Sequence, residues 1–330
     1  MDALTTAGLT KRYTHRELPI QRLTGHSSPD IRALEDLSIA VHEGEIFGFL
    51  GPNGAGKSTT IRLLLGYLHP SSGSATVLGH DIVRDSVEIR RRVGYLPGGI
   101  ALYDSLTGER LLDYLGELTG RPPARRVELC ERLELSARTL RRPVRDYSRG
   151  MRQKIGIVQA LQHDPELAIL DEPTEGLDPL MQRSFYDILH DLRAAGRTIF
   201  FSSHVLSEVE RVCDRVAIVR QGRLVALEDV ASLLEHRKRN VELRVGEGDV
   251  PVLDGVPGVS AIGRTADGRL TCQLEGDVGP FLAAISGHRI TDLTIEPAHL
   301  EEAFLELYAE AEPEPETTPE VAATTTGTAA

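Results

Sequence analysis

Residues 51–59, which read GPNGAGKST, combine glycines, a lysine and hydroxyl side chains in an order that suits phosphate binding. They fit the pattern G-x-x-x-x-G-K-[ST] at Gly51, Gly56, Lys57 and Ser58, between an apolar segment and a helical pattern. The glycines let N–H groups converge on a phosphate, and the helix start adds its positive dipole. We expect Lys57 to neutralise β- and γ-phosphate oxygens and Ser58 to bind Mg²⁺. The predicted ATP-binding loop is Gly51, Pro52, Asn53, Gly54, Ala55, Gly56, Lys57, Ser58 and Thr59.

Two adjacent acids, Asp171 and Glu172, follow a run of apolar residues in the segment LAILDE. Carboxylates at the end of a buried strand are costly unless a cation or hydrogen bonds receive them. We expect Asp171 to help bind Mg²⁺ and Glu172 to face the attacking water from the opposite side of the pleat. His204 follows a further apolar segment, TIFFSS. A lone histidine is often structural, but ligands of α/β folds bind at such strand ends, which favours a functional role.

A second opening suited to an anion lies at residues 147–154, YSRGMRQK. Ser148 is a good N-cap, Gly150 leaves the backbone bare, and an apolar stripe beginning at Met151 follows at helical spacing. The free N–H groups of such a helix start attract anions. Taken alone, Ser148 could do no more than cap its helix.

The composition of the 330 residues is that of an ordinary soluble protein with a large core. A net charge of −12 disfavours a broad nucleic-acid-binding face, although a local basic patch stays open. No apolar run approaches the roughly 18 residues of a membrane-spanning helix, and no signal-peptide core is visible at the N-terminus. Cys130, Cys213 and Cys272 lie far apart, so we expect reduced, mostly buried thiols in a cytoplasmic protein.

Short apolar strands alternate with helical patterns over residues 1–225, which predicts an α/β domain with a largely parallel sheet. Inside it, about residues 85–165 form a mostly helical pattern, the expected inserted helical subdomain. The other predicted units are a polar exposed loop at 14–30, a linker at 226–240, an accessory α+β domain at 241–309 and a disordered acidic Pro/Thr tail at 310–330.

Over about residues 4–225, the order and spacing of these motifs resemble the ATP-binding subunits of ABC transporters. Residues 51–59 match the Walker A motif, LAILDE matches Walker B with its catalytic glutamate, and EGLD matches the D-loop ending at Asp178. His204 matches the switch histidine, and YSRGMRQ matches the ABC signature. Residues 226–309, more weakly, look like the C-terminal extension of bacterial exporter ATPases of the drug and antibiotic self-resistance type.

The resemblance implies why one chain carries two phosphate-binding openings. In this family the signature helix faces the ATP held by the partner subunit, in a head-to-tail dimer. By that resemblance, Ser148 and the Gly150 amide contact the γ-phosphate of the opposing nucleotide, with Met151 completing the motif. Arg149 replaces the first glycine of the usual motif, so we expect its side chain to point away. Tyr13 matches the aromatic residue that stacks on adenine.

One departure from the family pattern lies after the segment VGYLP, where the family has a glutamine that reaches Mg²⁺ and the attacking water. Gly98 occupies that position. Because glycine has no side chain to bind metal or water, either a water takes the place of the amide or hydrolysis is slow.

We therefore expect an α/β P-loop ATPase that forms an ATP-dependent homodimer around two Mg²⁺–ATP, with Glu172 as general base and His204 at the γ-phosphate. It would drive a separate membrane permease, most simply an exporter of drugs or other hydrophobic small molecules, from the inner face of the membrane. Residues 98–118 are the expected docking surface, with Leu102 and Tyr103 as apolar anchors. The alternative is a soluble ABC-type ATPase acting on nucleic acid or the ribosome. Such relatives usually carry two cassettes or a long coiled coil, and neither is present.

Overall fold

The computed structural model describes residues 1–13, 31–235, 239–246, 250–265 and 268–296. The strands of the part before residue 236 are β1 (Asp2–Tyr13), β2 (Ile31–Leu37), β3 (Ala40–His42), β4 (Ile46–Leu50), β5 (Ser72–Val77), β6 (His80–Asp81), β7 (Val93–Leu96), β8 (Leu167–Asp171), β9 (Thr198–Ser203), β10 (Arg215–Arg220) and β11 (Arg223–Asp229). Its helices are α1 (Lys57–Leu64), α2 (Ser86–Arg92), α3 (Gly108–Thr119), α4 (Arg126–Arg132), α5 (Ala137–Leu140), α6 (Arg149–Leu161), α7 (Pro179–Ala194), α8 (Leu206–Val212) and α9 (Val230–Glu235).

A six-stranded sheet in the order β11-β10-β4-β9-β8-β7 forms the centre of the first domain. All its pairings are parallel except the closing β10–β11 hairpin, which agrees with the predicted, largely parallel sheet. Every residue of β4, β8 and β9 is buried, as expected for parallel strands covered on both faces. Because these strands are adjacent and parallel, their carboxyl ends lie at one edge, where the predicted phosphate loop, the two acids and His204 follow.

A second, antiparallel sheet was not anticipated from the sequence. It has the order β2-β1-β5-β6, with β3 paired to β1. Several of its strands alternate buried and exposed positions, and their buried side chains share one apolar core with α1 and with Phe47 and Phe49 of β4. The sheet matters for the site because β2 contacts α1 and so lies beside the phosphate loop.

The region 85–165 is mostly helical, but it also contains β7, which pairs in parallel with β8 in the central sheet. The strand was hidden between two helical patterns. Thr107 and Ser136 cap α3 and α5 with their side-chain oxygens. The apolar faces of α3, α4 and α6 belong to a second cluster of buried apolar residues, separate from the one that contains Phe47 and Phe49.

Residues 239–296 form a further antiparallel sheet, in the order β13-β14-β12-β15, with one helix. Its elements are β12 (Arg239–Val245), β13 (Val259–Arg264), β14 (Leu270–Leu274), α10 (Gly279–Ile285) and β15 (Ile290–Glu296). Strands and a helix thus lie together where the sequence predicted an accessory α+β domain. Residues 297–309 of that predicted domain, the tail at 310–330 and the loop at 14–30 lie outside the described residues.

The three cysteines are free and buried, as the sequence predicted. In the described part of the chain, no helix combines the length and the apolar character that crossing a bilayer requires.

Candidate nucleotide-binding site

Two glycines of the phosphate loop, Gly51 and Gly56, are required by close backbone approaches. Gly56 caps the start of α1 in the left-handed conformation, with φ 104°. A Cβ on Gly56 would lie 2.6 Å from the carbonyl oxygen of Ala33, and one on Gly51 would lie 2.4 Å from that of Val219. Larger residues would therefore displace the loop from the strands that hold it.

Lys57 is buried at the first position of α1, with only 6% of its side chain exposed. Its ammonium donates hydrogen bonds to the carbonyl oxygens of Gly51 (2.6 Å) and Pro52 (3.3 Å). A carboxylate oxygen of Glu172 lies 3.3 Å from the same nitrogen. The lysine charge is thus concentrated inside the loop, next to one negative group.

Asp171, the last residue of β8, receives two hydroxyl hydrogen bonds. Ser58 donates to its Oδ2 at 2.9 Å, and Ser202 of β9 donates to its Oδ1 at 3.0 Å. The carboxylate is 5% exposed. The structure therefore brings together the hydroxyl and the carboxylate that the sequence assigned to Mg²⁺, although the two residues lie far apart in the chain.

Glu172 leaves the strand in the left-handed region, with φ 50°, rather than continuing the pleat. Its N–H donates to the carbonyl of Ser202 at 3.0 Å. Its side chain joins Lys57 on one oxygen and His204 on the other, with 2.6 Å between Oε2 and Nδ1 of the histidine. A positive φ is unfavourable for a residue with a Cβ, and such conformations persist where the surroundings enforce them, often at functional sites.

A cavity of about 240 Å³ lies over the loop. Its lining includes predicted residues of the loop, Glu172, and three residues of β2 that the sequence did not point to: Ile31, Arg32 and Ala33. Tyr13 is not among the lining residues, but it is the strand partner of Ile31. The sequence did not indicate that β2 pairs with the strand of Tyr13, because the polar stretch at 14–30 separates the two strands in the chain.

The signature residues lie apart from this cavity, since none of residues 148–151 lines it. Ser148 caps α6 by accepting a hydrogen bond from the N–H of Met151 at 3.3 Å. Arg149 points away along the surface and forms an ion pair with Glu175. Asp178 caps α7 by accepting from Leu180 and Met181.

Gly98 lies against Asp171, where a Cβ would be 3.3 Å from Oδ2. The loop that follows lines a groove of about 560 Å³ between α2, α3 and α6. Leu102 lines this groove, whereas Tyr103 makes an edge-to-face contact with Tyr114 at 5.6 Å and is not among its lining residues. One continuous loop thus runs from the acid at the site to an open surface.

The groove combines exposed apolar side chains with a buried, unpaired histidine. Tyr67, Val87 and Leu118 line it, and each is more than half exposed. His163 is 5% exposed, and among the described residues neither ring nitrogen has a hydrogen-bond partner. Burial, reinforced by the charge of Arg121, lowers the pKa of His163 to about 4, whereas burial raises the pKa of Tyr95 in the groove to about 12.

The donor set fits magnesium. Ser58 and Asp171 offer oxygen atoms, the ligand type that Mg²⁺ prefers, and Mg²⁺ usually takes few protein ligands and completes its shell with water and phosphate. Among the described residues, no group of three His, Cys, Asp or Glu side chains could hold a metal ion by itself. A Mg²⁺ ion held by these two residues would take its other ligands from water and phosphate.

A protein-family model described as ABC transporter matches residues 34–175. An uncharacterized ABC transporter ATP-binding protein of Nostoc is 40% identical over 280 residues, covering 83% of this chain and 82% of that protein. A second one, of Synechocystis, is 44% identical over 62% of this chain, and the match spans only 58% of that relative's length. The daunorubicin resistance ATP-binding protein of Streptomyces coeruleorubidus is 38% identical, over 68% of this chain and 67% of its own.

Solved structures show the same fold. An ATP-binding subunit of an ABC transporter superposes with a TM-score of 0.61 at 31% identity, covering 70% of this chain and 91% of that one. A dimeric ATP-binding cassette in a post-hydrolysis state, bound to ADP and Pi, gives 0.59 at 21% identity, covering 69% and 98%. At that identity the likeness concerns the fold alone.

Proposed function

The chain belongs to the ATP-binding proteins of ABC transporters and is an ATPase; from this premise we propose that two copies close head to tail around two Mg²⁺–ATP. The observation that carries the proposal is the separation of the two phosphate-binding openings. Residues 148–151 do not line the cavity over the loop of their own chain. In the proposed dimer a second copy supplies the missing wall; one of the solved structures of similar fold is a dimeric cassette.

Within each site, the roles follow from charge and reach. Lys57 stabilises negative charge on the γ-phosphoryl group when ATP replaces the carbonyl oxygens as its partner. Glu172 accepts a proton from the water that attacks the γ-phosphorus, and ADP leaves as the phosphorus–oxygen bond breaks. His204, bonded to the same carboxylate, orients it and reaches the γ-phosphate. Ser58 and Asp171 would hold Mg²⁺, which would supply positive charge against the phosphate oxygens.

We propose that a membrane permease docks in the groove lined by Leu102 and Leu118, within the segment 98–118. Exposed apolar area of this kind, rimmed by charged residues, marks protein interaction sites. The loop from Gly98 to Leu102 connects it directly to Asp171, so a change at the nucleotide shifts the groove wall. The anchor set is therefore Leu102 with Tyr67 and Leu118, and Tyr103 supports α3 from outside.

We propose export as the transport direction and hydrophobic small molecules, such as drugs or antibiotics, as the substrate class. The support is the function that the names of relatives state, among them the daunorubicin resistance protein and a bacitracin transport ATP-binding protein of Bacillus licheniformis. The protein then works at the inner face of the membrane, held there by its permease.

Size-exclusion chromatography with light scattering tests the dimer. Glu172→Gln keeps the shape of the side chain but cannot take the proton, so it should accumulate as a dimer with Mg²⁺–ATP and remain a monomer with ADP. A monomer under saturating ATP contradicts the sandwich.

A pull-down from detergent-solubilised native membranes tests the permease. We expect a multi-spanning membrane protein in roughly equal amount, and its loss with Leu118→Glu, which places a charge in the groove. Leu282→Glu, an exposed leucine of α10 outside the groove lining, is the matched control. Recovery of ribosomal or other soluble partners alone contradicts a transport role.

A further inference from the structure

The first turn of α6 is fastened to the loop 172–178 of the same chain. Gln153 donates a hydrogen bond to the carbonyl of Pro173 at 2.6 Å, in a buried position. Gly150 approaches the carbonyl of Gly176 so closely that a Cβ would lie 2.8 Å from its oxygen. An ion pair between Arg149 and Glu175 adds a contact between side chains.

The aliphatic stem of Arg149 passes over Gly176. A Cβ on Gly176 would lie 3.2 Å from Cγ and 3.4 Å from Cδ of Arg149. Gly176 has φ +82° and no side chain, so the aliphatic stem crosses its backbone before the guanidinium reaches Glu175. Both side chains remain open to water, at 72% and 47% exposure.

The pair joins two functional places. Arg149 directly follows Ser148, the cap that the proposed dimer presents to the partner's ATP. Glu175 lies three positions after Glu172, which acts on the chain's own ATP, and the N–H of Glu175 donates to the carbonyl of Glu172 at 3.3 Å. Displacing either end of the pair therefore moves one half-site relative to the other.

We propose that Arg149 and Glu175 are positioning residues that couple the two half-sites of one chain. This inference rests on the proposed dimer, because only there do Ser148 and Glu172 of one chain act on different nucleotides. By holding the start of α6 against the loop that carries Glu172, the pair keeps both half-sites in the arrangement that closure around ATP requires.

A charge-swap cycle on the purified full-length protein tests the coupling. Each of Arg149→Glu and Glu175→Arg brings two like charges together, and we expect the half-saturating ATP concentration for hydrolysis to rise about threefold, the scale of an exposed ion pair. The maximal rate should change by less than this, since Lys57 and Glu172 are untouched. The double variant restores the pair with reversed charges and should return to within about 1.5-fold of the wild-type value.

Arg269→Glu is the control for a general effect of charge, because it breaks an ion pair with Glu242 at 3.0 Å on the sheet of residues 239–296. It should leave the half-saturating ATP concentration unchanged. Single variants that match the wild type overturn the proposal. So does a swap variant no better than its worse parent, the result expected if Arg149 contacted the partner's ATP directly.

The same cycle in the Glu172→Gln background separates this inference from the dimer itself. If Glu172→Gln fails to dimerise with ATP, the proposed sandwich is wrong whatever the charge swaps do. If it dimerises and Arg149→Glu leaves the ATP concentration for dimerisation unchanged, the sandwich stands and the coupling is wrong.

Discussion

The phosphate loop and the signature start are both helix N-termini, yet the chain treats them differently. At the loop, Lys57, Ser58 and Asp171 are bonded to residues of their own chain, and the lysine is 6% exposed. At the signature, Ser148 bonds only within its own first turn among the contacts described, and Arg149 is 72% exposed. In the proposed dimer the first region is thus a finished half-site, whereas Ser148 of the second is left to contact the partner's nucleotide.

This difference indicates which surfaces need a second molecule to complete their contacts. A polar surface that its own chain completes can be formed by folding alone, while one that stays open gains its partners on assembly. The proposed docking groove belongs to the second kind, because Tyr67, Val87 and Leu118 in its lining are more than half exposed. We therefore expect dimerisation and permease docking to use the surfaces whose groups lack contacts within the chain.

Removing the finished half-site should have the largest effect. Lys57→Ala deletes the buried charge at the phosphates, and we expect the ATP hydrolysis rate to fall by about 100-fold or more. Steady-state phosphate release measures it. Lys154→Ala, a lysine of α6 outside the cavity lining, is the control and should stay near the wild-type rate. A Lys57→Ala protein that retains a tenth of the wild-type activity contradicts the role of Lys57 in this site.

Mixing two inactive variants tests whether the open half-site acts on the other chain. Ser148→Arg blocks the signature opening, and Lys57→Ala disables the loop. In an equal mixture about half of the dimers carry both variants, and each has one intact site, so about a quarter of the wild-type rate should return. Phosphate release before and after mixing measures the recovery. An inactive mixture means that loop and signature act within one chain.

A Cβ at the signature start should cost less, about tenfold in the hydrolysis rate. Gly150→Ala must displace the backbone at Gly176, because no space remains between them, and small misplacements at a reacting centre are expensive. Gly287→Ala is the matched control, since a Cβ there meets nothing within 4 Å. Equal rates for the two variants would show that the fastening of α6 has no role in hydrolysis.

The sequence predicted the finished half-site best, because each of its residues belongs to a short motif with a fixed local structure. The glycines, Lys57 and Ser58 are within one loop, and the strand before Asp171 announces itself by its apolar run. The wall formed by Ile31 and Ala33 could not be predicted in this way, because β2 reaches the loop only through tertiary packing.

Contacts between distant segments explain the other differences. β7 is four residues long and lies between helices, so its pairing with β8 leaves no periodic signal. The left-handed φ of Glu172 reverses the expectation that it simply alternates with Asp171 across the pleat. Likewise, the sequence predicted that Arg149 points away, but not that it pairs with Glu175, because that ion pair depends on how the loop 172–178 folds back.

A substitution of His163 should have the smallest effect on hydrolysis, and it should change stability only in acid. Burial holds its folded-state pKa at about 4, below the ordinary value of 6.5, so between these pH values the unfolded chain binds a proton that the folded chain does not. The free energy of unfolding therefore decreases as the pH falls from 6.5 towards 4, and the stability present above pH 6.5 is lost, by about 3 kcal/mol at most.

His163→Leu removes this proton uptake while keeping similar volume. Urea denaturation should show the variant gaining on the wild type as the pH falls from 7.5 to 4.5, with hydrolysis at pH 7.5 nearly unchanged, because the residue serves the groove and not the phosphates. Parallel stability curves across that range would mean that His163 finds a partner in its own chain, and the groove would then count among the finished surfaces.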